Sequence, residues 1–521
     1  MNSFTEDLSI ALTLIQNDET TEIKPGQVSQ LELNLQSYGF SGSVRFVVSL
    51  AHGVDEPYIV FCKDDVLECT LEIKSRVIRA DETALPLVLH GMVTHRNIRD
   101  YVLESSRPDK PLIYLREYNM QFSDVAAVLW HQHYPCELYL DTSFNKVLTE
   151  HAGEQITLNS DWDELDKSLP MLVIALGISG NMASFYDFVM ALVDTRNGVF
   201  FHDYSNNSYN LAASKPSEGN STPIKPELVS VSTRIYPSQN RAQPRILNGS
   251  VTTPETTAIE NSLGVSPIRK DYLIRKPIKA DHDERVQLET SRLVVRQVEC
   301  VLNLNTIPAV MFKPGDWLEW ENTDYRIKEW RFSAESVSDD PNNDHNMDYA
   351  YYHMNSSLVL EHAEESSVSL PDYIIPAYPM QVEGFVVSDE GEDKDLTYQF
   401  EQDSDTSLDF YQVSLPLWED KKIKVPFEPG FLTGQFYFPL YKKARVLVDL
   451  YMLEARIAEL LDWRDGARLA MDTQGNQILM GKSDKSLTAI RHAYKDQKPE
   501  LELQRIDDKD TEVLRMSEGS I

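Results

Sequence analysis

The chain has 521 residues, with 49 basic against 82 acidic side chains, a formal charge of −33 and a pI near 4.7. So negative a surface repels nucleic-acid phosphates and anionic lipid headgroups, which argues against both as primary partners and keeps a large assembly in solution. With 42% hydrophobic residues and no unbroken apolar run long enough for a bilayer, three or four globular domains are expected rather than a membrane protein.

The opening Met1-Asn-Ser-Phe-Thr-Glu-Asp-Leu8 lacks a basic region, and no cleavage-type site follows the apolar run 8–15. No Sec signal is expected, and assembly in the bacterial cytoplasm is. Cys62, Cys69, Cys136 and Cys300 show neither Cys-x-x-Cys spacing nor a paired histidine motif, so they read as reduced, buried small hydrophobes and not as metal ligands. A Cys62 to Cys69 bridge across a hairpin stays open at this level.

Residues 1–115 read as mostly β, from Leu31-Glu-Leu-Asn-Leu35 and Gly42-Ser-Val-Arg-Phe-Val-Val-Ser-Leu50 through Leu85-Pro-Leu-Val-Leu-His-Gly-Met-Val93 to Pro111-Leu-Ile-Tyr-Leu115. Residues 116–226 mix helix and strand. Ser123 is a candidate N-cap for a helix over 124–130, and a second helix over 184–193 ends at Asn197-Gly198 and feeds the aromatic strand 199–204. The Ser, Asn and Pro-rich tract 205–226 reads as a loop or linker. Residues 227–375 return to β, with runs at 228–232, 293–298, 311–320 and 325–332, then an acidic, Asn-rich loop over 335–348.

In 376–471, five short runs rich in branched and aromatic residues (381–387, 410–418, 422–427, 434–441 and 445–451) suit a small closed barrel of the OB type, since closure removes exposed edges. In 472–521 the chain alternates apolar and polar residues in very short strands at 476–480, 487–494, 500–504 and 512–516. Such strands are marginal in water without partners for their apolar face. Either several copies pair side by side, or the segment folds back on the barrel as an ordinary hairpin sheet.

Here the residues carry a family resemblance. Gly384-Phe-Val-Val-Ser-Asp389, Tyr411-Gln-Val-Ser-Leu-Pro-Leu-Trp418, Gly434-Gln-Phe-Tyr-Phe-Pro439 and Val446-Leu-Val448 resemble the OB-like domain of the valine-glycine repeat protein G (VgrG) family, the spikes of contractile injection systems such as type VI secretion and phage tails. Thr488-Ala-Ile-Arg-His-Ala-Tyr494 and Thr511-Glu-Val-Leu-Arg-Met-Ser-Glu-Gly519 are similar to the start of that family's β-prism needle. Upstream, the run ending in His90-Gly91, the helix with its Asn-Gly turn, and Phe312-Lys-Pro-Gly-Asp316 resemble parts of the family's base. Long Val-Gly repeats are absent, so any needle is short or completed by another protein.

The resemblance implies a mainly β protein with α+β insertions: two β-barrels in an N-terminal hub (1–115 and 227–375, with 116–226 inserted), an OB-like barrel (376–471) and a C-terminal trimeric β-prism start (472–521). It implies a homotrimer whose partners are the inner tube ring, baseplate proteins and a PAAR-like tip protein or effector, with no cofactor and no nucleic acid. Trimerisation is then expected at Ile478, Met480, Ile490, Leu501, Leu503, Val513 and Leu514, and tip contact at Glu518, Gly519, Ser520 and Ile521.

Other candidates for chemistry are weaker. His131 and His133, two apart after a helical run, lack a third ligand and read as capping or surface residues. Gly177-Ile-Ser-Gly-Asn181 misses the last glycine of a nucleophile elbow. The acidic block 389–409 lacks the regular spacing of a calcium loop and reads as a solvated loop. The basic run Arg269-Lys-Asp-Tyr-Leu-Ile-Arg-Lys276 reads as a solvated face or a protein contact. The connection Trp463-Arg-Asp-Gly-Ala-Arg468 leaves no room for the muramidase insertion of some phage spikes, so no enzyme is expected. The rival reading is a carbohydrate-active β protein, a binding module or glycoside hydrolase, with Trp317, Trp320 and Trp330 as its platform.

Overall fold

The computed structural model describes residues 3–519 except 52–53, 77–84, 104–111, 181, 217–218, 236–240, 250–253, 275–278, 294–297, 309, 338–345, 366–368, 390–400, 403, 405–408, 428–439, 463–475 and 484. The chain divides into two units. One comprises Met1–His133, Asn145–Asp166 and Ala183–Ile375; the other comprises Tyr134–Phe144, Lys167–Met182 and Pro376–Ile521.

The first unit is built on a 13-stranded sheet. Eight of its strands close a ring: Phe4–Gln16, Glu68–Ser75, Leu87–Leu103, Ile113–Ser123, Gly39–Ser49, Val28–Gln36, Thr323–Ser336 and Ala350–His362, the last pairing back on the first. Strand periodicity explains the closure. Leu8, Ile10, Leu12 and Leu14 alternate with more exposed residues, as do Leu31, Leu33 and Leu35, and all seven are buried in one core with Phe46, Leu71, Tyr118 and Phe332.

Thr323–Ser336 and Ala350–His362 are long enough to serve two purposes. Their far ends pair with Trp317–Trp320 and Val298–Leu304, and the sheet runs on to Ser221–Pro223 and Val229–Ile235. A bulge between Ile327 and Glu329 sits where one function gives way to the other. The core of this unit is therefore continuous: Leu302, Leu318, Ile327 and Leu360 belong to the same cluster as Leu8.

Helices and a small sheet complete this unit. Val125–Trp130 starts at Asp124, not Ser123: the Asp124 carboxylate accepts from Ala127 N at 3.0 Å, Phe40 N at 3.2 Å and the Tyr209 hydroxyl at 2.8 Å. Burial pushes that carboxyl up despite its donors. Phe185–Thr195 begins at Ser184 as a capping box with Asp187. Part of the expected linker is a strand, since Ser208–Ala212 pairs with Val199–Asp203 and Leu158–Asp161. Trp130 packs there against Phe185, Phe200 and Tyr209.

In the second unit, Met380–Val387 lies between Asp409–Leu415 and Arg445–Leu450, with Lys421–Pro426 and Glu401–Gln402 on one side and Ala455–Asp462 on the other. Four of the five expected runs are strands here; most of 434–441 lies outside the described residues. Two strands from the middle of the chain join this unit. Cys136–Thr142 and Leu169–Ala175 pair with each other, and Leu138, Met171, Val173 and Ala175 share a core with Val382, Val413, Val446 and Val448. Val173 N donates to Met452 O at 2.8 Å, and the Tyr378 hydroxyl donates to Val173 O at 2.8 Å.

Candidate functional site

The chain ends in a four-stranded antiparallel meander, Gln477–Ser483, Ser486–Lys495, Lys498–Asp507 and Asp510–Met516. Two-residue turns set its register, with Asp496 and Gln497 both at positive φ (51° and 62°) as a twist-matched hairpin requires. Residues directly opposite in such pairs point to one face. The register aligns Ile478, Ile490, Leu503 and Leu514 in one row across all four strands.

That row is in water. Ile478 is 46% exposed, Ile490 36%, Leu503 38% and Leu514 48%. Met480 lies on the same face beside Ile478, and Leu501 and Met516, opposite each other, extend the band toward exposed Tyr494. The other face mixes buried Leu487 and Ala489 with buried Glu500 and Glu502, whose carboxylates lie 3.4 and 2.7 Å from the Arg515 guanidinium. Two carboxylates are thus sheltered while a contiguous apolar band faces solvent, the reverse of a sheet finished within one copy.

Of the seven residues expected at a trimer contact, six (Ile478, Met480, Ile490, Leu501, Leu503 and Leu514) share this face. Val513, next to Leu514 in a strand, necessarily points to the other. Met516 and Tyr494 belong to the band and carry the same period-two signal, yet sequence reasoning omitted them. Beyond the last strand, Glu518 is paired with Lys498 and Gly519 adopts a positive φ of 78°. Ser520 and Ile521 lie outside the described residues.

No protein-family model matches the sequence, and no curated protein matches it significantly. Solved structures do. A chain of the lidless PdpA-VgrG complex aligns with a TM-score of 0.71 at 13% identity over 99% of this chain and 98% of that one. The chain has a VgrG-like fold. The lidded Francisella PdpA-VgrG complex aligns at 0.72 and 12% identity over 98% of this chain and 79% of that one, and the half-lidded form at 0.71 and 12% over 99% and 88%.

On this VgrG-like frame the remaining candidates take structural places. His131 closes the helix Val125–Trp130, contacting Ala127 O and stacking on Tyr186. His133 Nε2 and His151 Nδ1 are 2.9 Å apart beside Phe185. Among the described residues no three His, Cys, Asp or Glu side chains gather as a metal site. The serine of the Gly177 run follows Leu169–Ala175 in a turn, and no helix begins there; Asn181 lies outside the described residues.

Cys62 and Cys69 are free thiols, one exposed and one buried, and burial pushes the Cys69 thiol up to about 12. Trp320 and Trp330 are buried in the hub core, with Trp330 Nε1 donating to Ser356 Oγ at 2.8 Å, while Trp317 lies beside the Arg326 guanidinium. These three residues therefore present no joint aromatic surface. Most of the acidic block 389–409 lies outside the described residues.

The turn Phe312-Lys-Pro-Gly-Asp316, by contrast, has an electrostatic signature. Gly315 takes φ +94°, and the Asp316 carboxylate accepts from Lys313 N at 3.1 Å. Burial pushes the Asp316 carboxyl up to about 6, against the pull of Lys313.

Proposed function

We propose that the protein is a homotrimeric hub and spike of a contractile injection machine, assembled in the cytoplasm and carried out on firing. The observation that carries this reading is the apolar row Ile478, Ile490, Leu503 and Leu514 held in solvent at the end of a VgrG-like fold. Three copies turning these faces toward one axis would bury the row and keep Glu500, Glu502 and Arg515 on the face turned away from that axis. The hub would sit on the inner tube ring within the baseplate. The closing strands, with Glu518, Gly519, Ser520 and Ile521 at their end, would present a blunt tip to a PAAR-like protein or effector.

A narrow prism in which every strand bonds to neighbours delivers the force of contraction to a small area without unravelling. The role is mechanical and involves no catalysis. Nothing in the placement of Trp317, Trp320 and Trp330 favours the glycan reading. Deleting residues 472–521 is expected to leave a folded hub and abolish stable trimers; an unchanged trimer mass by light scattering after that deletion overturns the proposal.

A further inference from the structure

The basic run beginning at Arg269 has no part in the spike reading, and the structure puts its first six residues at the edge of a sheet. Residues 241–293 contain a small lobe. Gln243–Asn248 is flanked by antiparallel Glu255–Ala258 and by parallel Arg269–Ile274, and the helix Lys279–Ser291 packs on the central strand.

Ile246 is buried on that central strand, and Tyr272, opposite it in register, lies 4.4 Å beneath the Arg285 guanidinium of the helix. The face bearing Lys270, Tyr272 and Ile274 is therefore the helix side. Arg269, Asp271 and Leu273 are on the other, and Leu273 is 67% exposed.

Backbone direction decides what the edge can do. Gln243 N donates to Ile268 O at 3.0 Å, and along a strand the direction of N–H and C=O repeats every second residue. The backbone groups of Lys270, Tyr272 and Ile274 thus turn into the sheet, and those of Arg269, Asp271 and Leu273 turn outward. Among the described residues no strand pairs with that outward side.

Charge then selects the partner. Residues 241–293 hold nine basic against seven acidic side chains, in a chain whose total is −33. The one carboxylate on the strand, Asp271, is held by both arms of Arg245 at 2.7 and 2.8 Å, while Arg269 and Lys270 are exposed.

We propose that the outer edge of Arg269–Ile274 is a strand-addition site for an extended segment of another protein. Its main chain bonds to residues 269, 271 and 273. It sets acidic side chains beside Arg269 and Lys270 and an apolar one over Leu273.

The test is fluorescence anisotropy of the full chain with a short fluorescein-labelled peptide of threonine and valine ending in two adjacent glutamates. Saturable binding is expected, with none for the same peptide ending in lysines. Leu273→Pro deletes only an outward N–H, which an edge strand tolerates, and should weaken binding at least about tenfold. Arg269→Glu with Lys270→Glu should weaken it by about as much, and this surface change carries the test alone if circular dichroism shows the proline variant misfolded. Failure of the wild type to bind, or binding indifferent to both variants, overturns the proposal. So does displacement of the peptide by a short oligonucleotide.

Discussion

Leu503→Asp is the sharpest perturbation of the proposed spike. Full burial of a leucine side chain contributes about 1.5–3 kcal/mol, and 38% of Leu503 is still exposed in one copy, so closing the axis gains about 1 kcal/mol per copy. Substitution forfeits about 3 kcal/mol over three copies. It also places three carboxylates in an apolar contact, each costing at least about 2 kcal/mol. The total, about 9 kcal/mol per trimer, corresponds to roughly six decades in the assembly constant. By size-exclusion chromatography with light scattering, the wild type should run at three times the chain mass of 59.6 kDa and the variant at that mass itself. Val513→Asp, one residue from Leu514 but on the opposite face, should stay trimeric. Trimers from Leu503→Asp, or loss of trimers only in Val513→Asp, would show that the apolar band is not the contact.

Two further predictions concern the stability of the two units, taken one at a time. A Cβ on Gly384 would stand 2.6 Å from Val413 Cγ1 and 2.9 Å from Ser414 O, so Gly384→Ala should destabilise the OB-like sheet by about 1–3 kcal/mol, read as a lower urea midpoint. An unchanged midpoint would mean that the neighbouring strand yields freely. Asp316 makes stability depend on pH with a definite sign. Its folded pKa of about 6 exceeds the ordinary 3.8, so the folded chain holds the proton longer, and the cost of burying the charge grows as pH rises from 3.8 to about 6 and is constant above that. Asp316→Asn should therefore stabilise the hub by up to about 3 kcal/mol at pH 8 and by roughly half as much at pH 5. An equal gain at both values would refute the assignment.

The features legible in the sequence were those set by residues close along the chain. The last four strands and the helices over 125–130 and 185–195 follow from local periodicity and caps. What escaped was decided by partners far away. Ala455–Asp462 is rich in helix formers, yet it pairs with Arg445–Leu450, so tertiary contact overrides propensity. Ala350–His362 is interrupted by Asn355-Ser-Ser357, which hides its apolar alternation, although Ser356 is buried because Trp330 needs a hydrogen-bond acceptor there. The attachment of Cys136–Thr142 and Leu169–Ala175 to the OB-like core rests on contacts over two hundred residues away in sequence, such as Cys136 Sγ to Met380 Sδ.

The candidate site occupies an intermediate position. Period two alone places Leu514 and Val513 on opposite faces, so that separation was available without coordinates. The alignment of Ile478, Ile490, Leu503 and Leu514 into one row was not, because it depends on the lengths of three turns: a slip of one residue in any strand would turn its apolar side chains to the charged face. In the proposed trimer, the tight turn at Asp496 and Gln497 therefore matters to assembly as well as to the hairpin it closes. It holds Ile490 opposite Leu503, and with them the continuity of the surface that the other copies would have to meet.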